Sequence, residues 1–156
     1  MTAPTLRFGC GKVNDIQATQ KEFYDLLNAE FHFDHDPCPI WPDGIVKVDG
    51  LSSEWGECNY VNPPYSAVDA WVKKAVIEMK KGRKSVLLTP ARTNNIIWRD
   101  VVSKYASEYR FLYRCVRFGV FTRPLPNPLV VVIFDPAVEP KDRKEQHGEF
   151  VWFTLK

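Results

Sequence analysis

An α/β fold, its sheet mostly parallel with an antiparallel end, is what this sequence predicts, and three observations carry that expectation. Apolar residues change period along the chain, from helical spacing over 23–31 and 68–79 to short β-branched runs such as KSVLLTP (84–90) and LVVVIF (129–134). From residue 57 to residue 105, strand-like and helix-like segments alternate, as parallel strands joined by crossover helices would. Beyond it, strand-like segments follow one another through shorter loops, which suits antiparallel pairing.

Taken in order, Thr19-Gln20-Lys21-Glu22 matches a T-x-x-E capping box, and Phe23, Leu26, Leu27 and Phe31 follow at helical spacing. They predict a helix over about 19–30. HFDHDPCP (32–39) reads as a short strand ending at Pro37, and GIVKVDG (44–50) as another ending at a turn. ECNYVN (57–62) is a strand stopped by Pro63. Ser66 is the expected N-cap of a helix with the face Val68, Trp71, Val72, Ala75, Val76 and Met79, which Gly82 ends. KSVLLTP is short enough for a buried strand. Asn94 or Asn95 would cap a helix carrying Ile96, Ile97, Val101, Val102 and Tyr105. Further strands are expected at 109–115, 129–135 and 149–155, with TRPLPNP (122–128) and 136–148 as loops. RFGCG (7–11) has no strand pattern before it, so residues 1–13 read as a flexible arm of a single domain spanning 1–156.

Composition excludes some classes. No apolar run approaches the roughly 18 residues that span a bilayer, and the first residues lack the apolar core of a signal peptide. The four cysteines are far apart and form no C-x-x-C pair, which fits reduced thiols and a cytoplasmic setting. Net charge is only +2, yet residues 1–68 carry four basic and ten acidic groups, and the remainder carries seventeen and nine. A basic second half suits a polyanion such as nucleic acid, although lysine-rich solvated helix surfaces give the same count.

The chemistry concentrates where strands end. Ligands in such sheets bind beyond the C-terminal ends of the strands, where both Asn62-Pro63-Pro64-Tyr65 and the Asp36-Pro37 turn fall. Two successive prolines fix two φ angles and remove two N–H donors, so this corner is stiff. An exocyclic adenine amine is a poor nucleophile until acceptors hold both hydrogens and let the nitrogen become more tetrahedral. The Asn62 side-chain oxygen is one acceptor. The Pro63 carbonyl, held by the proline that follows it, is the second. Tyr65 offers a face on which an extruded base can stack, worth about 1–3 kcal/mol. The competing account is a rigid strand-to-helix turn with Tyr65 in the core.

In sequence order, ATQKEFYDLLNAEFHFDHDPCP, VDGLSSEW, NPPYSAVDAWVKKA, GRKSVLLTPARTNNIIW and YRFLYRCVRF resemble the small phage-type DNA N6-adenine methyltransferases. That resemblance implies a Rossmann-like methyltransferase sheet, S-adenosyl-L-methionine as methyl donor and double-stranded DNA with a flipped adenine as acceptor. It implies Asn62, Pro63, Pro64 and Tyr65 for the target base. For the donor it implies Asp36, Pro37 and Thr19, with Asp49 before Gly50 as a weaker case. Arg92, Thr93 and Arg117 are the expected nucleic-acid contacts. No glycine-rich loop follows the first strand, and about 25 residues separate Asp36 from Asn62, so the cofactor-side half should be reduced.

Other groups have plainer accounts. His32, His35 and Cys38 recur every third residue, which places them on one side of neither strand nor helix, so no metal is expected. The tryptophans read as core or sheet-edge aromatics, with Trp55 or Trp98 as possible walls of a base pocket. Arg110, Arg114 and Arg117 suit either phosphate contacts or solvated edge-strand charges. The expected protein is an adenine-specific DNA methyltransferase, monomer or homodimer, not membrane-bound. Its rivals are an NPPY methyltransferase acting on RNA adenine or a glutamine amide, and an inactive nucleic-acid-binding protein with the same fold.

Overall fold

The computed structural model describes residue 19 and residues 21–39, 49–112 and 128–139. Their elements are α1 (Lys21–Phe31), β1 (Cys58–Val61), α2 (Val68–Lys80), β2 (Lys84–Pro90), a π-helical turn (Trp98–Val102), α3 (Ser103–Tyr105), β3 (Glu108–Phe111) and β4 (Leu129–Phe134). The expected arm at 1–13, most of the 44–50 strand, the 122–128 loop up to residue 127 and the 149–155 strand lie outside the described residues. Among the described residues no helix is long and apolar enough to cross a membrane.

The four strands form one sheet in the order β1-β2-β4-β3. β1 is parallel to β2, with Cys58 opposite Lys84. β4 is antiparallel to both β2 and β3, pairing Phe134 with Ser85 and Ile133 with Glu108. β1, β2 and β3 therefore share one direction and β4 alone is reversed. The expected antiparallel end has a specific form: the reversed strand lies one place in from the edge, not at it. All six of its residues are buried, as the uninterrupted apolar run LVVVIF requires.

Alternate residues of the strands face two cores. On one face Val61, Leu87, Val130, Val132 and Phe134 pack with α2 and the helical residues Ile97 and Val102. On the other, Tyr60, Val86, Leu88, Val131 and Ile133 pack with Phe23 and Leu27 of α1. Helices thus cover both faces, in three layers.

The strand expected from HFDHDPCP is a single parallel bridge, His35 to Asn59. Asp34 N–H donates to the Cys58 carbonyl at 3.0 Å and Tyr60 N–H to the His35 carbonyl at 3.0 Å. The Asp34 carboxylate accepts the N–H groups of Glu57 and Cys58 at 3.2 and 3.1 Å, replacing the next backbone rung. Pro37 and Pro39 then have no N–H to offer, so pairing stops.

Ser66 is not the N-cap of α2. That position is Ala67, with no side-chain cap, and the turn closes through backbone bonds from Ala67 N–H to Pro64 and from Ala70 N–H to Ala67, both 3.0 Å. At the other end, Gly82 adopts φ +91°. Its N–H reaches the Met79 carbonyl at 2.9 Å and that of Arg83 reaches Glu78 at 3.1 Å, a Schellman closure that a glycine makes without strain. The helix expected from Asn94 or Asn95 instead contains a π-helical turn whose leading residue, Ile97, makes no side-chain cap.

Candidate active site

A cavity of about 260 Å³ opens between the start of α1, the Asp36–Cys38 turn and the C-terminal end of β1, lined by Thr19, Lys21, Tyr24, Asp36, Cys38, Tyr60 and Asn62. Three residues singled out from distant stretches, Thr19, Asp36 and Asn62, meet there. The Thr19 hydroxyl bonds the Tyr60 hydroxyl at 2.5 Å and accepts from Asn62 Nδ2 at 3.2 Å. Tyr24 stands edge-on to Tyr60, ring centres 5.1 Å apart, and closes the wall. Tyr24 and Tyr60 were missed in the sequence. Tyr60 had a usable signal, since it lies two residues before Asn62 and so faces the same side of β1.

Asp36 is the electrostatic centre of this cavity. Burial pushes its carboxyl up to about 6, opposed by one hydrogen bond from Cys38 N–H, which measures 2.8 Å. Burial, and then the neighbouring Asp36, pushes the Cys38 thiol up to about 12. Lys21 lines the same space but pairs with Asp25 on its own helix.

The corner after β1 is built as its prolines require. Asn62 and Pro63 are buried, and Pro64 and Tyr65 are half-buried. Among the described residues no donor is bonded to the Pro63 carbonyl, whereas the Pro64 carbonyl accepts from Ala67. The Tyr65 ring packs beside the Tyr60 cluster. Among the described residues its hydroxyl is buried with no partner, and burial pushes it up to about 12 against the pull of Arg92.

The segment VDGLSSEW buttresses the donor-side turn. Gly50 lies so close to Pro37 that a Cβ would sit 2.0 Å from the Pro37 carbonyl oxygen, so only glycine fits. The Gly50 carbonyl accepts the Trp55 indole N–H at 2.7 Å, and Trp55 stacks on Trp71 of α2 with centres 6.0 Å apart. Pro37 is thus held from behind. Asp49 does not join the cavity: its carboxylate accepts from Leu51 N–H at 3.1 Å and from the Ser52 hydroxyl, closing its own exposed turn. Trp55 is core.

Arg92 and Thr93 are exposed on the loop after β2, and Arg117 lies outside the described residues. Arg110 is not an edge charge open to phosphate. It is 8% exposed, grips Glu30 of α1 through two bonds of 2.7 and 2.6 Å, and lies over the Phe31 ring at 5.3 Å. Nothing local marked that pairing, because Glu30 is 80 residues away in the chain.

The profile of the family described as DNA N-6-adenine-methyltransferase (Dam) matches residues 10–121, well over half of the chain. The chain belongs to this family of adenine-specific DNA methyltransferases. Every cavity residue named above falls inside the matched stretch, which makes the Dam-family core and the described site the same part of the chain. No curated protein matches. Among solved structures, one similar chain is described as a predicted O-methyltransferase from Agrobacterium tumefaciens, at 21% identity and a TM-score of 0.34, with 55% of this chain covered. The Dam-family chain spans about two fifths of that structure's length, 39%.

Proposed function

We propose that this Dam-family protein transfers a methyl group from S-adenosyl-L-methionine to N6 of adenine in double-stranded DNA, acting in the cytoplasm. The observation that carries the reading is the meeting of Thr19, Asp36 and Asn62 in one cavity, at the end of a strand whose next residues are two prolines and a tyrosine. Asn62 and Pro63 supply the two acceptors that hold the amine hydrogens of a flipped adenine. The Thr19 bond to Nδ2 fixes which way the Asn62 carboxamide faces. The prolines fix the direction of the Pro63 carbonyl, and Tyr65 supplies the stacking face. With both hydrogens held, the amine lone pair leaves conjugation with the ring, and the proton departs to solvent after transfer. No general base of shifted pKa is required.

S-adenosyl-L-methionine, when bound, supplies the activated methyl group. The residues present fit it: Asp36 is a half-buried carboxylate among the cavity walls with no cation paired to it among the described residues, so it can accept from an ammonium or ribose hydroxyl. Thr19 and Pro37 complete that side. Arg92, Thr93 and Arg117 are assigned to contacts with the nucleic acid, and the enzyme works as a monomer or homodimer.

The test is parallel incubation of labelled donor with duplex DNA, RNA and protein. Label in N6-methyladenine of DNA is expected. Label in RNA or in a glutamine amide replaces the acceptor, and no label in any of the three removes the enzyme.

A pH dependence follows from Asp36. A carboxyl held near 6 in the folded chain and near 3.8 when unfolded binds an extra proton between those values. The free protein therefore loses this share of its stability as pH rises from about 4 to about 6. A cationic donor favours the ionised carboxylate, so donor affinity is expected to rise as pH increases through 6 and then level off. Titration calorimetry at pH 5, 6, 7 and 8 checks this. Asp36→Asn should bind more weakly at pH 7 and lose that rise, and a parallel rise in the variant removes Asp36 from the donor site.

A further inference from the structure

A second cavity, of about 160 Å³, lies beside Tyr65, between the start of α2 and the loop that follows β2. It is well below the roughly 300–1,000 Å³ of a cofactor or drug-sized pocket, so it fits one ring system or one phosphate, not a whole nucleotide. Its lining is mostly polar, with Tyr65, Val68, Pro90, Ile97 and Trp98 as the apolar and aromatic part. Its polar groups are Ser66, Asp69, Arg92 and Asn95.

The walls are fixed in place. Trp98 stacks on Phe111 of β3 with centres 6.4 Å apart and planes 21° apart, and meets Tyr109 edge-on at 5.9 Å. Trp98 also opens the π-helical turn, a form found mostly as single turns at functional sites. The loop is tied at its start by Ala91 N–H to the Pro128 carbonyl, 2.8 Å, and folded tightly by Arg92 N–H to Pro90, 2.9 Å. The cavity therefore shares residue Tyr65 with the corner that would present the target base.

The polar groups decide between the two occupants. A phosphate offers only acceptors and negative charge, and Asp69, in the first turn of α2, would repel it while already meeting that helix end's preference for an anion. A nucleobase edge offers donors and acceptors together. A carboxylate accepts from an exocyclic amine, a guanidinium donates to ring nitrogens and carbonyls, and a carboxamide does both.

We propose that the cavity between Tyr65 and Trp98 is a base-reading pocket, which takes the nucleobase adjoining the target adenine and sets flanking-sequence preference through Asp69, Arg92 and Asn95. This rests on the reading that the NPPY corner handles adenine in DNA. Residue 69 lies on the exposed side of α2 and Asn95 on a surface loop, so neither substitution removes core packing.

The full-length protein, Asp69→Asn and Asn95→Ala are each given labelled donor and a pool of duplexes with all four bases on either side of one adenine. In the wild type the rate ratio between best and worst neighbour should exceed tenfold at one flanking position, and each variant should shrink it about tenfold, the share of one base-edge contact. Wild-type and variant ratios that coincide, with methylation intact, overturn this pocket and leave the reaction standing. An equal loss on every duplex also overturns it, and assigns the cavity to the DNA backbone. A wild type that methylates no duplex overturns the reaction first, and the pocket with it.

Discussion

Asn62→Ala is expected to reduce methylation by two to three orders of magnitude while the protein stays folded. Removing one preorganised hydrogen-bonding group at a reacting centre typically lowers kcat about 100- to 1,000-fold. The residue is 8% exposed at the cavity wall, and the substitution cuts its bond to Thr19 on α1's flank. The loss in melting temperature should accordingly be a few degrees. Asn62→Asp keeps an acceptor oxygen, and the Thr19 hydroxyl can turn to donate to it, so this variant should retain far more activity than alanine. Steady-state rates on one duplex, beside thermal melts of all three proteins, check the expectation. Full turnover by a folded Asn62→Ala protein would remove the central residue of the reading.

Glu78→Gln carries the largest expected effect on stability. The Glu78 side chain is fully buried and meets Lys74 at 2.9 Å, Lys81 at 3.0 Å and Arg83 at 2.6 Å. Burial alone would raise its pKa, but the hydrogen bonds from Lys74, Lys81 and Arg83 outweigh that and hold the carboxyl at about 2. Neutralising it leaves three cations around an amide. Breaking a buried pair costs about 3–5 kcal/mol, and the low end, about 3 kcal/mol, applies because the partners can turn towards solvent. The Lys81 side chain is already 44% exposed. For a chain of this size that is a fall in Tm of about 6–12 °C. The pH sign is fixed by the depressed pKa: the contribution is complete above about 4.5 and is lost as pH falls towards 2. The gap between wild type and Glu78→Gln in calorimetric melts should therefore narrow across that window. A gap that stays constant would mean that charge at residue 78 is not what holds the three cations.

How far the sequence could be read varied with the range of the interactions involved. KSVLLTP was bounded by Gly82 and Pro90, both local signals, and β2 runs over the same seven residues. The stiff corner at Asn62–Tyr65 was legible for the same reason, since a proline restricts itself and the residue before it. HFDHDPCP looked like a strand because its side chains alternate, but Asp34 replaces a backbone rung with its own carboxylate, and alternation cannot report that. The π-helical turn was read as ordinary helix. Its trace was present in Ile97 and Val102, five apart and both buried, a spacing that 3.6 residues per turn does not bring inward. At the site, Asn62, Asp36 and Thr19 were accessible as motif residues. Tyr24 enters only through its ring contact with Tyr60, which depends on how α1 docks. The second cavity needs the loop after β2 to fold back beside Tyr65, a contact between turns that no spacing rule encodes.

The inward position of β4 bears on how the molecule is made. β1 and β2 leave the ribosome well before residue 134, yet among the described residues β3 has no neighbour in the sheet except β4. A growing polypeptide thus waits, with one backbone edge of β2 unpaired, until residues 129–134 have been made and can slot in beside it. This sheet comes together more like a zip closing than by a gradual build-up, and its exposure to aggregation is concentrated before β4 docks.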